Sequence, residues 1–179
     1  IHLLRALAEL RTRRPELAFT LDLVGDGPDA ALLRAEASRL TLDPCVRFHG
    51  SLPHGQVLAL LESASIFVLP SVTASDGDME GIPVALMEAM AQGLPVISTR
   101  HSGIPELVEE DVSGLLVPER DPLALSRAIE TLLAAPETWP LYGAAGRRRV
   151  EVAFERKELD RTLRELYVRV LPGRHVVAQ

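Results

Sequence analysis

Apolar and polar positions follow two periods along this chain. Ile1, Leu3, Leu4, Leu7 and Leu10 recur at helical spacing, as they do when one helical face is buried. Residues 17–24 read as a strand with Phe19, Leu21, Leu23 and Val24 as its apolar content. The strand stops at Gly25-Asp26-Gly27-Pro28, a strong turn signal. A helix is predicted over 29–40 and a short strand over 45–49, ended by Gly50. Pro53 opens the next helix, whose apolar positions are Val57, Leu58, Leu60 and Leu61. Residues 66–69 are wholly apolar, the mark of a strand buried on both faces. After a polar loop at 70–81, Pro83 opens a helix that runs to 91 or 92, with Gly93 as its C-terminal cap. Short strands are predicted over 95–98 and 114–117, with a small helix over 105–108 between them. Helices over 122–134, 137–145 and about 147–171 follow.

Strands alternating with helices of ten or so residues predict βαβ units. The fold class is therefore α/β, a Rossmann-like parallel sheet flanked by helices, with further helices at the C-terminus. In such sheets ligands sit beyond the carboxyl ends of the strands. The loops that matter are thus 25–28, 50–53, 70–82 and 99–104.

The chain has 179 residues, 47 % hydrophobic and 25 % charged, which suits one globular domain and excludes a disordered chain. No apolar run approaches the roughly 18 residues that span a bilayer. Residues 1–10 carry charges and meet Arg-Thr-Arg-Arg, which is not the pattern of a signal peptide. A lone cysteine, Cys45, precludes an internal disulfide and suits a reducing compartment, so a cytoplasmic location is expected. The net charge of -6 makes nucleic acid a poor partner. Residues 147–179 nonetheless hold nine Arg or Lys against five Asp or Glu, a basic tail able to meet an acidic partner or a membrane face. The chain opens inside an amphipathic helix with no strand before it, so it reads as a piece of something longer.

The chemistry concentrates in residues 70–99. Glu80 precedes a helix and Glu88 lies inside it, about five residues past Pro83 and roughly 7–8 Å along the axis. Two carboxylates on the order of 10 Å apart then flank a helix N-terminus, whose free amides and positive dipole end suit a diphosphate. A ligand with a diphosphate between two sugars, such as a nucleotide sugar, fits this layout. By spacing alone, the pair is equally a solvated carboxylate and an ordinary helical glutamate. Gly25 and Gly27 are likewise readable as a tight strand-to-helix turn, since Gly-x-Gly is weak evidence. Asp76-Gly-Asp78 invites a metal, but Ser71 to Ser75 separate it from the strand. A calcium loop begun at Asp76 would also place Met87 where glutamate is needed. A flexible acidic loop, with no metal, is expected there.

The run Glu-Gly-Ile-Pro-Val-Ala-Leu-Met-Glu-Ala-Met-Ala-Gln-Gly-Leu-Pro-Val (80–96) resembles the donor site of retaining GT-B glycosyltransferases of the large family 4. Leu-Val-Gly-Asp-Gly-Pro (23–28) resembles its first glycine loop. Val-Arg-Phe-His-Gly-Ser-Leu (46–52) resembles the strand beside the nucleobase, and residues 64–71 the apolar strand ending in Pro-Ser. Ser-Gly-Ile-Pro-Glu-Leu-Val (102–108) and residues 111–118 follow the same order. The wording of the Glu80 and His101 segments is similar to colanic-acid and exopolysaccharide enzymes.

The resemblance covers about residues 1–155. It implies one half of a GT-B fold, a single nucleotide-sugar-binding domain over 1–179. The first strand and the acceptor-binding domain are expected upstream, and the helix within 147–179 is expected to pack on that domain. It implies that Glu80 contacts the donor hexose as the catalytic group. Backbone amides of Gly81, Ile82 and Pro83's neighbour Val84 hold sugar or phosphate, with Pro83 itself part of the substrate-binding segment; Glu88 accepts from the ribose, Gly25 and Gly27 let the backbone approach the nucleotide, and Leu52 lies at the base. The expected donor is a UDP- or GDP-sugar, with no cofactor and no metal. The expected acceptor is a saccharide or a lipid-linked acceptor, with the full-length enzyme at the inner face of a membrane as one expectation. The family's diphosphate-binding Arg and Lys lie upstream of the first helix, so this chain by itself is expected to bind donor weakly and not turn over. Arg161, Leu163, Leu166 and Val170 would be left as an unpartnered interface, through which the chain could dimerise. Two other functions fit the pattern: a non-catalytic nucleotide-binding or interaction module, and a nucleotide-sugar epimerase of the same fold.

Overall fold

A computed structural model describes residues 1–74, 76–154 and 156–170, with side chains described outside 156–159. The elements are α1 (His2–Arg13), β1 (Leu21–Val24), α2 (Ala30–Arg39), β2 (Val46–Gly50), α3 (His54–Ser63), β3 (Phe67–Leu69), α4 (Val84–Ala91), β4 (Val96–Thr99), α5 (Ile104–Leu107), β5 (Gly114–Val117), α6 (Pro122–Ala134), α7 (Trp139–Arg149) and α8 (Arg156–Val170). The last helical stretch is not continuous. A 3-10 turn (Pro136–Thr138) precedes α7, and a π-helical segment (Val150–Phe154) follows it.

All strand pairs are parallel, in two ladders, β1-β2 and β3-β4-β5. Alternation along the second ladder divides the interior in two. Val68, Ile97, Leu115 and Val117 face one core, with Leu3, Leu4, Leu7 and Leu10 of α1 and Leu125, Ile129 and Leu132 of α6. Phe67, Leu69, Val96 and Leu116 face the other, with Leu86 and Met90 of α4 and Ile104 and Leu107 of α5. The first core also receives Leu21, Leu23, Val46 and Phe48, so α1 joins both ladders into one interior. β4 and β5 are buried on both faces; β5 is wholly apolar, while β4 ends in the buried hydroxyls of Ser98 and Thr99. β3 is only half-buried along its length. It is the end strand of its ladder, with no ladder partner on one side among the described residues.

α6 begins at Pro122, and the Asp121 carboxylate accepts from the N–H of Ala124 at 2.9 Å, satisfying one orphan donor. Gly93 takes φ +80° just past α4, where a left-handed residue ends a helix. Gly143 of α7 lies so close that a Cβ there would stand 1.9 Å from the Gly93 carbonyl oxygen. α7 thus locks the far end of the helix that carries Glu88. On α8, Leu163, Leu166, Tyr167 and Val170 are exposed at helical spacing, and the nine residues after α8 lie outside the described part of the chain. Among the described residues, no helix is long and apolar enough to cross a membrane.

Candidate functional site

The carboxyl ends of β3, β4 and β5 carry the loops that meet around α4. Two hydroxyls of β4 fasten the end of β3: Ser98 donates to the Leu69 carbonyl and Thr99 to the Ser71 carbonyl, both at 2.6 Å. The hydroxyl of buried Ser71 donates in turn to the Glu80 carboxylate. The segment between them turns back on itself. Ala74 donates to the Asp78 carbonyl, and the Asp78 N–H donates to the Asp76 side chain at 3.1 Å. Asp76 therefore acts as a local turn cap. The loop returns to α4 through Gly81, Ile82 and Pro83. Ile82 sits against the entry to α5, where a side chain on Gly103 would come within 2.8 Å of its Cγ1.

α4 starts without a capping side chain. Pro83 is buried and extended (φ -65°, ψ 129°), and its carbonyl accepts from the amides of Leu86 and Met87. The helix start at Val84 is 63 % exposed. The free amides at such a start, with the dipole behind them, attract an anion. Glu80 stands on the loop side of this start and Glu88 one turn inside the helix, in the order expected.

Glu88 is not free-standing. Its Oε1 lies 2.8 Å from Nε2 of His54, the first residue of α3. His54 follows Pro53 and Leu52. Leu52 lines an open depression of about 270 Å³ with His49, Gln56, Ala59 and Leu60. Gly25 has φ +130°, a region that glycine enters readily, and its N–H donates to the Gly50 carbonyl at 2.8 Å. The first glycine loop is thereby tied to the end of β2, two residues from Leu52. Gly27 closes the following turn, its carbonyl accepting from the N–H of Ala30 at 3.0 Å. The two glycines thus perform the turn role that the sequence left open, and the turn leaves open space at both Cα positions.

Sequence reasoning missed the partners of these groups. Ser71 ends one recognised segment and His54 follows another, and only the fold shows what they hold. Glu119, two residues past β5, carries no motif at all. It accepts from the N–H of Thr73 at 2.8 Å and lies 2.7 Å from Nδ1 of His101. The Thr73 amide first, and His101 second, hold the Glu119 carboxyl below its ordinary range.

The sequence model of the family described as glycosyl transferases group 1 matches residues 1–135. A colanic acid biosynthesis glycosyltransferase by name, WcaL of Escherichia coli strain K12, is 47 % identical over 152 residues, covering 84 % of this chain and 37 % of WcaL. The amylovoran biosynthesis glycosyltransferase AmsK of Erwinia amylovora is 44 % identical, covering 85 % of this chain and 37 % of AmsK. Anabaena Alr3699/HepE, solved in complex with UDP-glucose, superposes with a TM-score of 0.75 at 25 % identity over 92 % of this chain and 44 % of its own. The chain thus spans little more than a third of the length of these curated relatives. By these matches and by its half of the GT-B fold, the chain belongs to the group 1 glycosyl transferases.

Proposed function

We propose that this chain is the donor-binding half of a glycosyltransferase that moves a hexose, with retention, from a UDP- or GDP-sugar to a saccharide or lipid-linked acceptor in exopolysaccharide synthesis. The observation that carries this reading is the uncapped start of α4, with Glu80 on its approach and Glu88 on its second turn. The amides and dipole of that start suit the diphosphate, which gains negative charge as the bond from its oxygen to the anomeric carbon breaks. The acceptor oxygen forms the new bond to that carbon, and its proton passes to the departing diphosphate oxygen. Glu88 accepts from the ribose hydroxyls, and Leu52 beside its depression flanks the base. Glu80, steadied by Ser71, faces the transferred sugar. The names of WcaL and AmsK support the pathway class, and the UDP-glucose in HepE supports the donor class.

In this reading no metal takes part. The isolated chain binds donor weakly and does not turn over, because its relatives extend far beyond the matched part. The exposed stripe of α8 packs on the acceptor-binding part or on a second copy. A thermal-shift and calorimetry panel of UDP, GDP and their sugars tests the proposal. Binding raises the melting temperature by mass action. A flat panel at millimolar ligand would favour an interaction module, and conversion of the donor without any acceptor would favour an epimerase.

A further inference from the structure

We propose that Glu119 and His101 are positioning residues for the loop that carries Glu80; this rests on the reading of Glu80 as the group facing the donor sugar. The Glu119 carboxylate joins the ends of three strands. One oxygen takes the N–H of Thr73, past β3, at 2.8 Å. The other lies 2.7 Å from Nδ1 of His101, past β4, and 3.3 Å from the Thr73 hydroxyl. Glu119 itself follows β5. The neighbouring Arg120 guanidinium donates to the Thr73 carbonyl, so both backbone groups of Thr73 are held from the end of β5. Two residues before Thr73 stands Ser71, whose carbonyl is fixed by Thr99 and whose hydroxyl holds Glu80. Releasing Thr73 therefore loosens the residue that aims Glu80.

The position of the proton follows from the partners. An ionised carboxylate can only accept, so Nδ1 of His101 carries a hydrogen toward Glu119. His101 is 1 % exposed, and its Nε2 has no hydrogen-bond partner among the described residues. A buried polar nitrogen left unpaired opposes folding. An apolar ring of similar size would avoid that cost. The histidine's gain is its bond to Glu119, and through Glu119 its hold on Thr73.

Glu119→Gln separates this role from bulk and packing. An amide has a single acceptor oxygen, which cannot stand at both carboxylate positions, where Oε2 takes the Thr73 N–H and Oε1 faces His101 Nδ1. Either Thr73 is released, or the imidazole moves its hydrogen to Nε2. Nitrogen-15 spectra of the ring and hydrogen exchange at Thr73 read these outcomes without a ligand. The wild type is expected to show the Nδ1–H form and a protected Thr73 amide. Calorimetry with UDP-glucose and GDP-mannose, against UDP and GDP, then reads the loop. Glu119→Gln and His101→Leu are expected to lose about tenfold in affinity for the nucleotide sugars, with UDP and GDP unchanged, because Glu80 serves the sugar and Glu88 the nucleoside. His101→Asn, which keeps an N–H donor near Nδ1, is expected to restore most of that loss.

A wild-type ring in the Nε2–H form would overturn the proposal. So would variants that bind sugar and diphosphate forms as the wild type does, or that lose both equally. Should Glu119→Gln fail to fold, His101→Leu carries the same comparison. A wild-type chain that binds none of the four nucleotides would instead remove the donor reading, and the positioning role with it.

Discussion

Nε2 of His54 lies 2.8 Å from Oε1 of Glu88, an exposed ring against a carboxylate two-thirds buried. The contact joins the start of α3 to the second turn of α4. It leaves the second oxygen of Glu88 available to a hydroxyl.

The first prediction concerns these two residues. Glu88→Ala should weaken binding of UDP or GDP by about tenfold, the effect of one lost hydrogen bond to a charged acceptor. His54→Ala removes only an exposed pair and should leave stability within about 0.5 kcal/mol. Calorimetry and urea denaturation read the two effects separately. A Glu88→Ala chain with unchanged nucleotide affinity would place the nucleoside elsewhere.

Glu80→Gln keeps an oxygen for the Ser71 hydroxyl, so the loop should keep its shape. In an enzyme that includes this chain, transfer should fall by about 100-fold or more while the melting temperature holds. Initial rates with a radiolabelled sugar donor, alongside a thermal melt, check both halves. Normal turnover would show that Glu80 has no part in the reaction.

The charged contact between α1 and α2 gives a pH dependence. Arg39 first and Arg5 second lower the Glu36 carboxyl from its ordinary 4.5 to about 2. A depressed carboxyl stabilises the folded chain above its unfolded value, and that contribution is lost as pH falls through the folded one. Stability should therefore drop between about pH 4.5 and 2. Glu36→Gln should flatten that part of the profile in denaturation at stepped pH; an unchanged slope would assign the acid sensitivity to other groups.

Gly143→Ala should be among the costlier small substitutions. Its Cβ would meet the Gly93 carbonyl at 1.9 Å, and the obstacle is backbone with no side chain to swing away. Overpacking of this kind costs about 1–3 kcal/mol. The change should also disturb α4, so reduced stability should come with weaker nucleotide binding. A melt equal to wild type would mean that α7 can shift freely.

Element type was legible nearly throughout, because burial of one helical face imposes a period of 3.6 on apolar residues and burial of both strand faces imposes an unbroken apolar run. Ile97 and Leu116 show it: neighbouring strands, unbroken apolar runs, and complete burial or nearly so. Legibility failed where neighbours decide the outcome. Residues 66–69 are more apolar than 95–98, yet β3 is only half-buried because its ladder ends there. Residues 147–171 look like one helix, yet the backbone passes through a π-helical segment at Val150–Phe154 between α7 and α8.

From the sequence alone came the succession of strands and helices, the loops on the ligand side, and the order of Gly25, Leu52, Glu80 and Glu88 along the chain. These depend on local periodicity and on turn chemistry within a few residues. The tertiary structure alone decided that Ser71 holds Glu80, that His54 reaches Glu88, and that Glu119 gathers Thr73 and His101. Parallel strands set residues far apart in the chain side by side at one edge of the sheet. A hydrogen bond made there depends on distance and angle in space, which no spacing along a single chain encodes.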